Sequence, residues 1–265
     1  MTLGSTVTVV CLYPDLLGTY GDSGNAAILA QRLRWRGQAA EVLTVLSGDT
    51  VPASAELYLL GGGEDLPQAL AARLLGKNGP LHHALRDGAA LLAVCAGLQI
   101  LGTRFVGPDG IDSSGLELVD CRTVRGPGPR AVGELVVAPD PTLGLPALTG
   151  YENHTGITAV GGADRPAGVV RSGVGNGDGT DGVLATRIFG TYLHGPVLAR
   201  NPALADLLLG WVVGPVAPLD DRESEGLRTE RLAVAASQAS SSAGPNAGRF
   251  RRAGHAVRQA ARGRR

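Results

Sequence analysis

The stretch Ala90-Leu91-Leu92-Ala93-Val94-Cys95-Ala96-Gly97-Leu98-Gln99-Ile100-Leu101-Gly102 constrains this chain more than any other. A short apolar run ends at a cysteine, a small residue and a glycine follow, and an apolar, helix-compatible segment takes over. That order reads as strand, sharp turn and helix, with Cys95 on the turn. A thiol so placed projects from the end of a strand near the positive end of a helix. Both features favour the thiolate, the form that attacks carbonyls. Small residues flank a nucleophile on such a strained turn, and Ala93 stands where the general elbow motif has its first glycine, a mild departure. The same residues also fit a buried structural cysteine closing a core strand, the commoner fate of a free thiol.

Two other stretches shift the balance towards chemistry. Leu57-Tyr58-Leu59-Leu60 is a strand-like run that breaks into Gly61-Gly62-Gly63-Glu64-Asp65. Such a loop lets backbone N–H groups approach a developing oxyanion closely. Ile188-Phe189-Gly190-Thr191-Tyr192-Leu193 is another strand-like run, ending at His194 before a Gly195-Pro196 turn. A cysteine followed roughly a hundred residues later by a histidine suits a Cys–His pair assembled by folding.

The periodicity of the first half predicts an α/β fold. Val7 to Tyr13, Glu41 to Val45, Leu57 to Leu60 and Ala89 to Val94 read as strands, with helices over Ala26–Arg36, Leu66–Leu75 and Leu81–Arg86. Alternation at this spacing gives a mostly parallel sheet flanked by helices, with ligands at the carboxyl ends of the strands. In the second half, Leu116–Leu118, Cys121–Val124 and Gly133–Val137 read as strands between Gly-Pro turns, and are expected to extend the same sheet. Val183–Thr186 and Ile188–Leu193 suggest a hairpin returning to the site, and Asn201–Trp211 a closing helix. One domain is therefore expected over residues 5–212, a possible C-terminal helix over 213–237 and a disordered Arg-rich tail over 238–265. Gly248 to Arg265 hold seven arginines and no acid, which fits a solvated tail or a contact with anionic lipid headgroups or nucleic acid.

Composition bounds the function. Forty-four per cent apolar and 18% charged residues over 265 positions support a large core, and the forty glycines fit a fold with many tight loops. The formal net charge is zero, so nothing global points to nucleic acid. Cys11, Cys95 and Cys121 lack metal-ligand spacing, which suits a reducing cytoplasm and predicts no metal site. No run approaches the roughly 20 apolar residues of a transmembrane helix. Gly173–Gly182 follows no strand-to-helix pattern and reads as a flexible loop; with no phosphate-binding loop elsewhere, no nucleotide site is expected in this chain.

Five motifs occur in one order: Tyr20-Gly21-Asp22-Ser23-Gly24-Asn25, Gly61-Gly62-Gly63-Glu64-Asp65, Cys95-Ala96-Gly97-Leu98-Gln99, Tyr151-Glu152-Asn153-His154 and Gly190-Thr191-Tyr192-Leu193-His194-Gly195-Pro196. The set resembles class I, triad-type glutamine amidotransferases of the cobyric-acid-synthase-like branch, and within it the amidotransferase subunits of lipid II isoglutaminyl synthases. The resemblance implies a glutaminase in which Cys95 is the nucleophile and His194 the base. Backbone N–H groups of Ala96 and of Gly62 or Gly63 would hold the oxyanion, each worth about 3 kcal/mol of barrier. It implies that Gln99 lines the glutamine pocket and that Arg130 binds L-glutamine through its α-carboxylate, for which a guanidinium fork is suited. It implies a heterodimer with a Mur ligase-like synthetase subunit that carries ATP and magnesium, meeting lipid II from the cytoplasmic side of the membrane. A corrin-ring carboxylate as acceptor, or a catalytically silent scaffold, are the alternatives.

Many triad amidotransferases carry a glutamate two residues after the histidine, where this chain has Pro196. The resemblance implies that an aspartate of the partner completes the triad; Asp15, Asp22 or Glu152 are the candidates within the chain. His154 reads as structural or interfacial, His82, His83 and His255 as uninvolved, and Cys11 and Cys121 as core thiols.

Overall fold

A computed structural model describes residues 6–107 and 110–242. The first half follows the expected alternation: β1 (Val7–Leu12), α1 (Gly24–Trp35), β2 (Ala40–Val45), β3 (Leu57–Leu60), α2 (Asp65–Leu75), α3 (Pro80–Arg86), β4 (Ala90–Val94) and α4 (Ala96–Leu101). Every residue of β3 and β4 is buried, as continuous apolar runs require when a strand is covered on both faces. On α1, Ala26, Leu29, Ala30 and Leu33 turn inward at helical spacing.

The chain continues through β5 (Arg104–Val106), β6 (Asp112–Ser114), β7 (Cys121–Arg125), β8 (Ala131–Pro139), β9 (Leu148–His154), β10 (Gly156–Val160), β11 (Gly168–Ser172), β12 (Thr180–Asp181), β13 (Val183–Ala185) and β14 (Ile188–Thr191). It closes with α5 (Val197–Arg200), α6 (Pro202–Val213) and α7 (Arg222–Ser242). The main sheet has six strands in the order β13-β14-β4-β3-β1-β2, all parallel except β13, which pairs antiparallel with β14 as the expected hairpin.

The other second-half strands do not extend this sheet. They form two four-stranded sheets, β10-β7-β5-β6 and β12-β11-β8-β9. Short connections favour antiparallel neighbours, and β14, reached only after this long excursion, is the strand that returns to the main sheet parallel to β4. Short strands joined by Gly-Pro turns pair mostly antiparallel instead, β8 with β9 and β11, and β7 with β10. Leu116–Leu118 is not a strand. Its N–H groups donate to the carbonyls of Ile100, Gly102 and Leu101 at 2.7–3.0 Å, satisfying the end of α4.

A buried ionic clamp closes the main sheet's outer layer. Arg32 on α1 donates to both oxygens of Asp206 on α6 at 2.8 Å and to both oxygens of Asp221 at 2.6 and 2.8 Å. Arg36 adds a bond to Asp206 at 2.7 Å. The helix expected near the C-terminus is α7, and it runs to Ser242, past the boundary at residue 237. The rest of the arginine-rich tail, from residue 243, lies outside the described residues. No helix among the described residues is long and apolar enough to cross a membrane.

Candidate active site

Cys95 sits between β4 and α4 with φ 51° and ψ −106°, a conformation that costs a non-glycine residue about 1–3 kcal/mol. Neighbours hold it there. The Cys95 N–H donates to Thr191 O at 2.9 Å, and Gln99 N–H donates to Cys95 O at 2.9 Å to open α4. Gly97 lies against β3, where a Cβ would come 2.7 Å from Leu60 O, so only glycine fits. Ala93, where the motif has glycine, is accommodated with no exposure.

Strand register then gathers the other motifs. Leu60 pairs with Ala93, which brings the triple-glycine loop beside Cys95, and Thr191 pairs with Val94, which places His194 just beyond the same edge. His194 is 1% exposed. Its Nδ1 donates to Asp22 Oδ2 at 2.9 Å, while Nε2 is buried with no hydrogen-bond partner among the described residues. The Asp22 carboxylate also accepts from Gly62 N–H at 2.9 Å and Gly195 N–H at 3.4 Å. Burial by itself lowers a histidine's pKa; here the Asp22 carboxylate, followed by Cys95, outweighs it and raises His194 to about 10. The orienting position is thus filled by Asp22 of this chain. Asp15 bonds Ser47 and Glu152 bonds His154, so neither serves.

Cys95, Ala96, Gly63, Gln99 and Arg130 line one cleft of about 510 Å3, open mouth included, with Glu64, Asp65, Arg125, Asn153 and His154 on its walls. His194 and Gly62 lie behind that wall. Gly62 departs from its expected role: its N–H is committed to Asp22, and a Cβ there would come 2.4 Å from His194 Cε1. It is a packing site for the imidazole, which leaves Gly63 as the cleft-lining glycine of the loop. Ala96 opens α4 with its N–H at the unsatisfied helix N-terminus. Gln99 faces the cleft, but its amide is partly engaged, accepting from Gln68 Nε2 at 2.9 Å and donating to Tyr192 Oη at 3.1 Å. Arg130 is exposed and donates to Asn153 Oδ1, to Asn153 O at 3.3 Å and to Tyr20 Oη at 3.3 Å. The Tyr20 ring rests on His194 with centroids 4.5 Å apart.

Gln68, Asn153, Tyr192 and the ring of Tyr20 join the site beyond the residues the sequence singles out; Asn153, Tyr192 and Tyr20 lie inside the five motifs, whereas nothing local marks Gln68. His154 is buried, stacked on Tyr192 at 3.9 Å and held by Glu152. Gly173–Gly182 is tied to β9 and to itself: Val174 and Gly175 N–H groups donate to Glu152 at 2.8 and 2.9 Å, and the Asn176 side chain accepts from Gly182 N–H at 3.0 Å. Burial pushes the Cys11 thiol up to about 11 and Cys121 up to about 12, which suits inert core thiols.

A cysteine on a strained turn, a histidine bonded to a carboxylate and a glycine-rich loop at the carboxyl edge of a mostly parallel sheet are the features of a triad-type amidotransferase. In keeping with this, residues 8–202 match the CobB/CobQ-like glutamine amidotransferase domain, and the chain belongs to that family. It is 34% identical over 207 residues to the lipid II isoglutaminyl synthase (glutamine-hydrolyzing) subunit GatD of Staphylococcus aureus, covering 77% of this chain and 83% of that subunit. It is 30% identical to GatD of Streptococcus pneumoniae, covering 75% and 77% of the two chains. The cobyric acid synthase of Xanthobacter autotrophicus is 33% identical, but the match spans only 40% of that protein and 74% of this chain. Among solved structures, a glutamine amidotransferase shares the fold at 19% identity with a TM-score of 0.52, covering 79% of this chain and 99% of its own. A second one, from Thermotoga maritima, does so at 15% identity with a TM-score of 0.51, covering 87% and 95%.

Proposed function

We propose that this chain is the glutaminase subunit of a lipid II isoglutaminyl synthase. The Cys95 thiolate attacks the side-chain amide carbon of L-glutamine, and the resulting oxyanion is held by the N–H groups of Ala96 and Gly63. Collapse breaks the C–N bond, the His194 imidazolium donates its proton to the departing nitrogen, and ammonia leaves a γ-glutamyl thioester on Cys95. Water then attacks the thioester, His194 takes its proton, and glutamate and free Cys95 are regenerated. Arg130 holds the α-carboxylate and Gln99 lines the pocket.

The ammonia passes to a Mur ligase-like synthetase that binds ATP and magnesium and amidates the D-glutamate α-carboxylate of lipid II at the cytoplasmic face. The observation that carries this reading is the buried His194, clamped by Asp22 on Nδ1, its Nε2 without a hydrogen-bond partner among the described residues, together with a cysteine on a strained turn. The GatD similarity supports the choice of acceptor. The test is ammonia release from glutamine by the purified chain, alone and with the synthetase, with Cys95→Ala as control. Cys95-dependent hydrolysis by the chain alone, rising with the synthetase, is expected. No release in either setting, with a complex demonstrably formed, overturns the reading.

A further inference from the structure

The tip of β9 touches three parts of the site at once. Tyr151 exchanges backbone hydrogen bonds with His194, N–H to O at 3.2 Å and O from N–H at 2.7 Å. His154 stacks on Tyr192, whose hydroxyl accepts from Gln99. Between them Asn153 turns to the cleft, where its side-chain oxygen accepts from Arg130 Nε and its carbonyl from Arg130 Nη2 at 3.3 Å. The two residues flanking Asn153 are anchored from behind. Glu152 is 3% exposed and takes Val174 N–H at 2.8 Å, Gly175 N–H at 2.9 Å and His154 Nε2 at 3.3 Å. His154 Nδ1 bonds Gly156 O at 3.0 Å.

A long, exposed arginine loses much rotamer freedom when it binds a carboxylate, and a side chain that fixes it beforehand lowers that cost. We propose that Asn153 is the positioning residue for Arg130, with the buried Glu152–His154 pair holding Asn153 in register. This rests on the reading of Arg130 as the group that binds the α-carboxylate. Asn153 accepts from Nε and Nη2, Tyr20 Oη accepts from Nη2 as well, and the two Nη1 protons are left to a ligand carboxylate. Its neutral amide oxygen orients the guanidinium without neutralising it, as an aspartate would.

Two thiol reagents separate positioning from damage. 6-Diazo-5-oxo-L-norleucine carries the α-carboxylate of glutamine and alkylates a reactive thiol with loss of N2, whereas iodoacetamide lacks that carboxylate. Labelling of Cys95 by each is followed by mass spectrometry on the full chain, as saturable and second-order rates respectively. Asn153→Ala is expected to weaken saturation by the diazoketone about ten-fold, with the iodoacetamide rate within about two-fold of wild type, and to add nothing in an Arg130→Ala background. An equal loss with both reagents shows a distorted Cys95 site and overturns the proposal. So does a full additional loss on top of Arg130→Ala, which makes Asn153 a direct ligand contact. A normal diazoketone affinity in Asn153→Ala, with Arg130→Ala impaired, overturns the positioning role alone. A normal affinity in Arg130→Ala instead overturns the Arg130 reading on which it rests.

Discussion

Replacing Asp22 with asparagine tests the triad with little change of shape. Asparagine keeps one oxygen able to accept from Gly62 N–H, but it removes the charge 2.9 Å from His194 Nδ1. His194 stands at about 10 against an ordinary 6.5, with burial pulling down and Asp22, then Cys95, pulling up. That rise corresponds to roughly 5 kcal/mol in favour of the charged ring. Assigning about half of it to Asp22 gives roughly 2–3 kcal/mol, or about thirty- to a hundred-fold in kcat when the imidazolium–thiolate pair is the reactive form. An amide turned to present its NH2 to Nδ1 forces the wrong tautomer and gives up the Gly62 bond, since both groups meet the same oxygen, which adds to the loss.

The assay is ammonia release at saturating glutamine across about pH 6 to 9.5, for the chain alone and in complex. Without the carboxylate the ring loses its proton at lower pH, so the alkaline limb of the profile moves towards neutrality as kcat falls. Wild-type kcat with an unmoved alkaline limb would refute the reasoning. Activity lost in the free chain but retained in the complex returns the orienting role to a carboxylate of the partner.

Three further outcomes follow from the packing. Gly62→Ala puts a Cβ where His194 Cε1 lies 2.4 Å away, and is expected to lower kcat by about two orders of magnitude with an unchanged circular dichroism spectrum. Arg32→Ala leaves Asp206 and Asp221 facing each other with only Arg36 near, and should cost about 3 kcal/mol in urea unfolding while leaving the catalytic residues in place. Asp181 is fully buried, and desolvation holds it up to about pH 6 against 3.8 despite bonds from Thr191 Oγ1 and Tyr192 N–H. The folded chain therefore binds more protons than the unfolded chain between those values. Stability from this group is present below about 3.8 and lost as pH rises through about 6. Asp181→Asn should remove roughly 2 kcal/mol of that fall between about pH 4.5 and 7.5, read from unfolding midpoints at those two values.

The first half of the fold was legible because burial on two faces writes itself as an unbroken apolar run. Leu57–Leu60 and Ala90–Val94 are such runs, and their ends fix where a ligand must sit. Cys95 and His194 were legible for the same reason, each closing a buried strand at that edge. The choice of Asp22 over Asp15 and Glu152 was not, since it joins residues 172 positions apart and depends on how the loop after β1 folds across the sheet. Nor does a run of three glycines say which one offers its N–H to a ligand and which makes room for a ring. The second half is less legible for a different reason: strand propensity marks Cys121–Val124 and Gly133–Val137, but it does not say which sheet a strand joins, and β8 and β9, linked by a short connection, pair antiparallel with each other.

One carboxylate locks three loops together. Asp22 follows β1, Gly62 follows β3, and His194 with Gly195 follows β14, and all three bonds converge on the Asp22 oxygens. The triad's geometry is therefore set by the main sheet itself, from the side of the strands that is packed and dry. The glutamine-facing half is built differently. Arg130 is exposed and reaches the site from the β7–β8 connection, with Asn153 and the Tyr20 hydroxyl as its partners. An outside protein has little purchase on a histidine that is 1% exposed, but it can shift an exposed guanidinium and the hydroxyl it touches. Regulation by a synthetase should then act on the affinity for glutamine through the Arg130 half of the cleft, and leave the Cys95–His194–Asp22 alignment untouched.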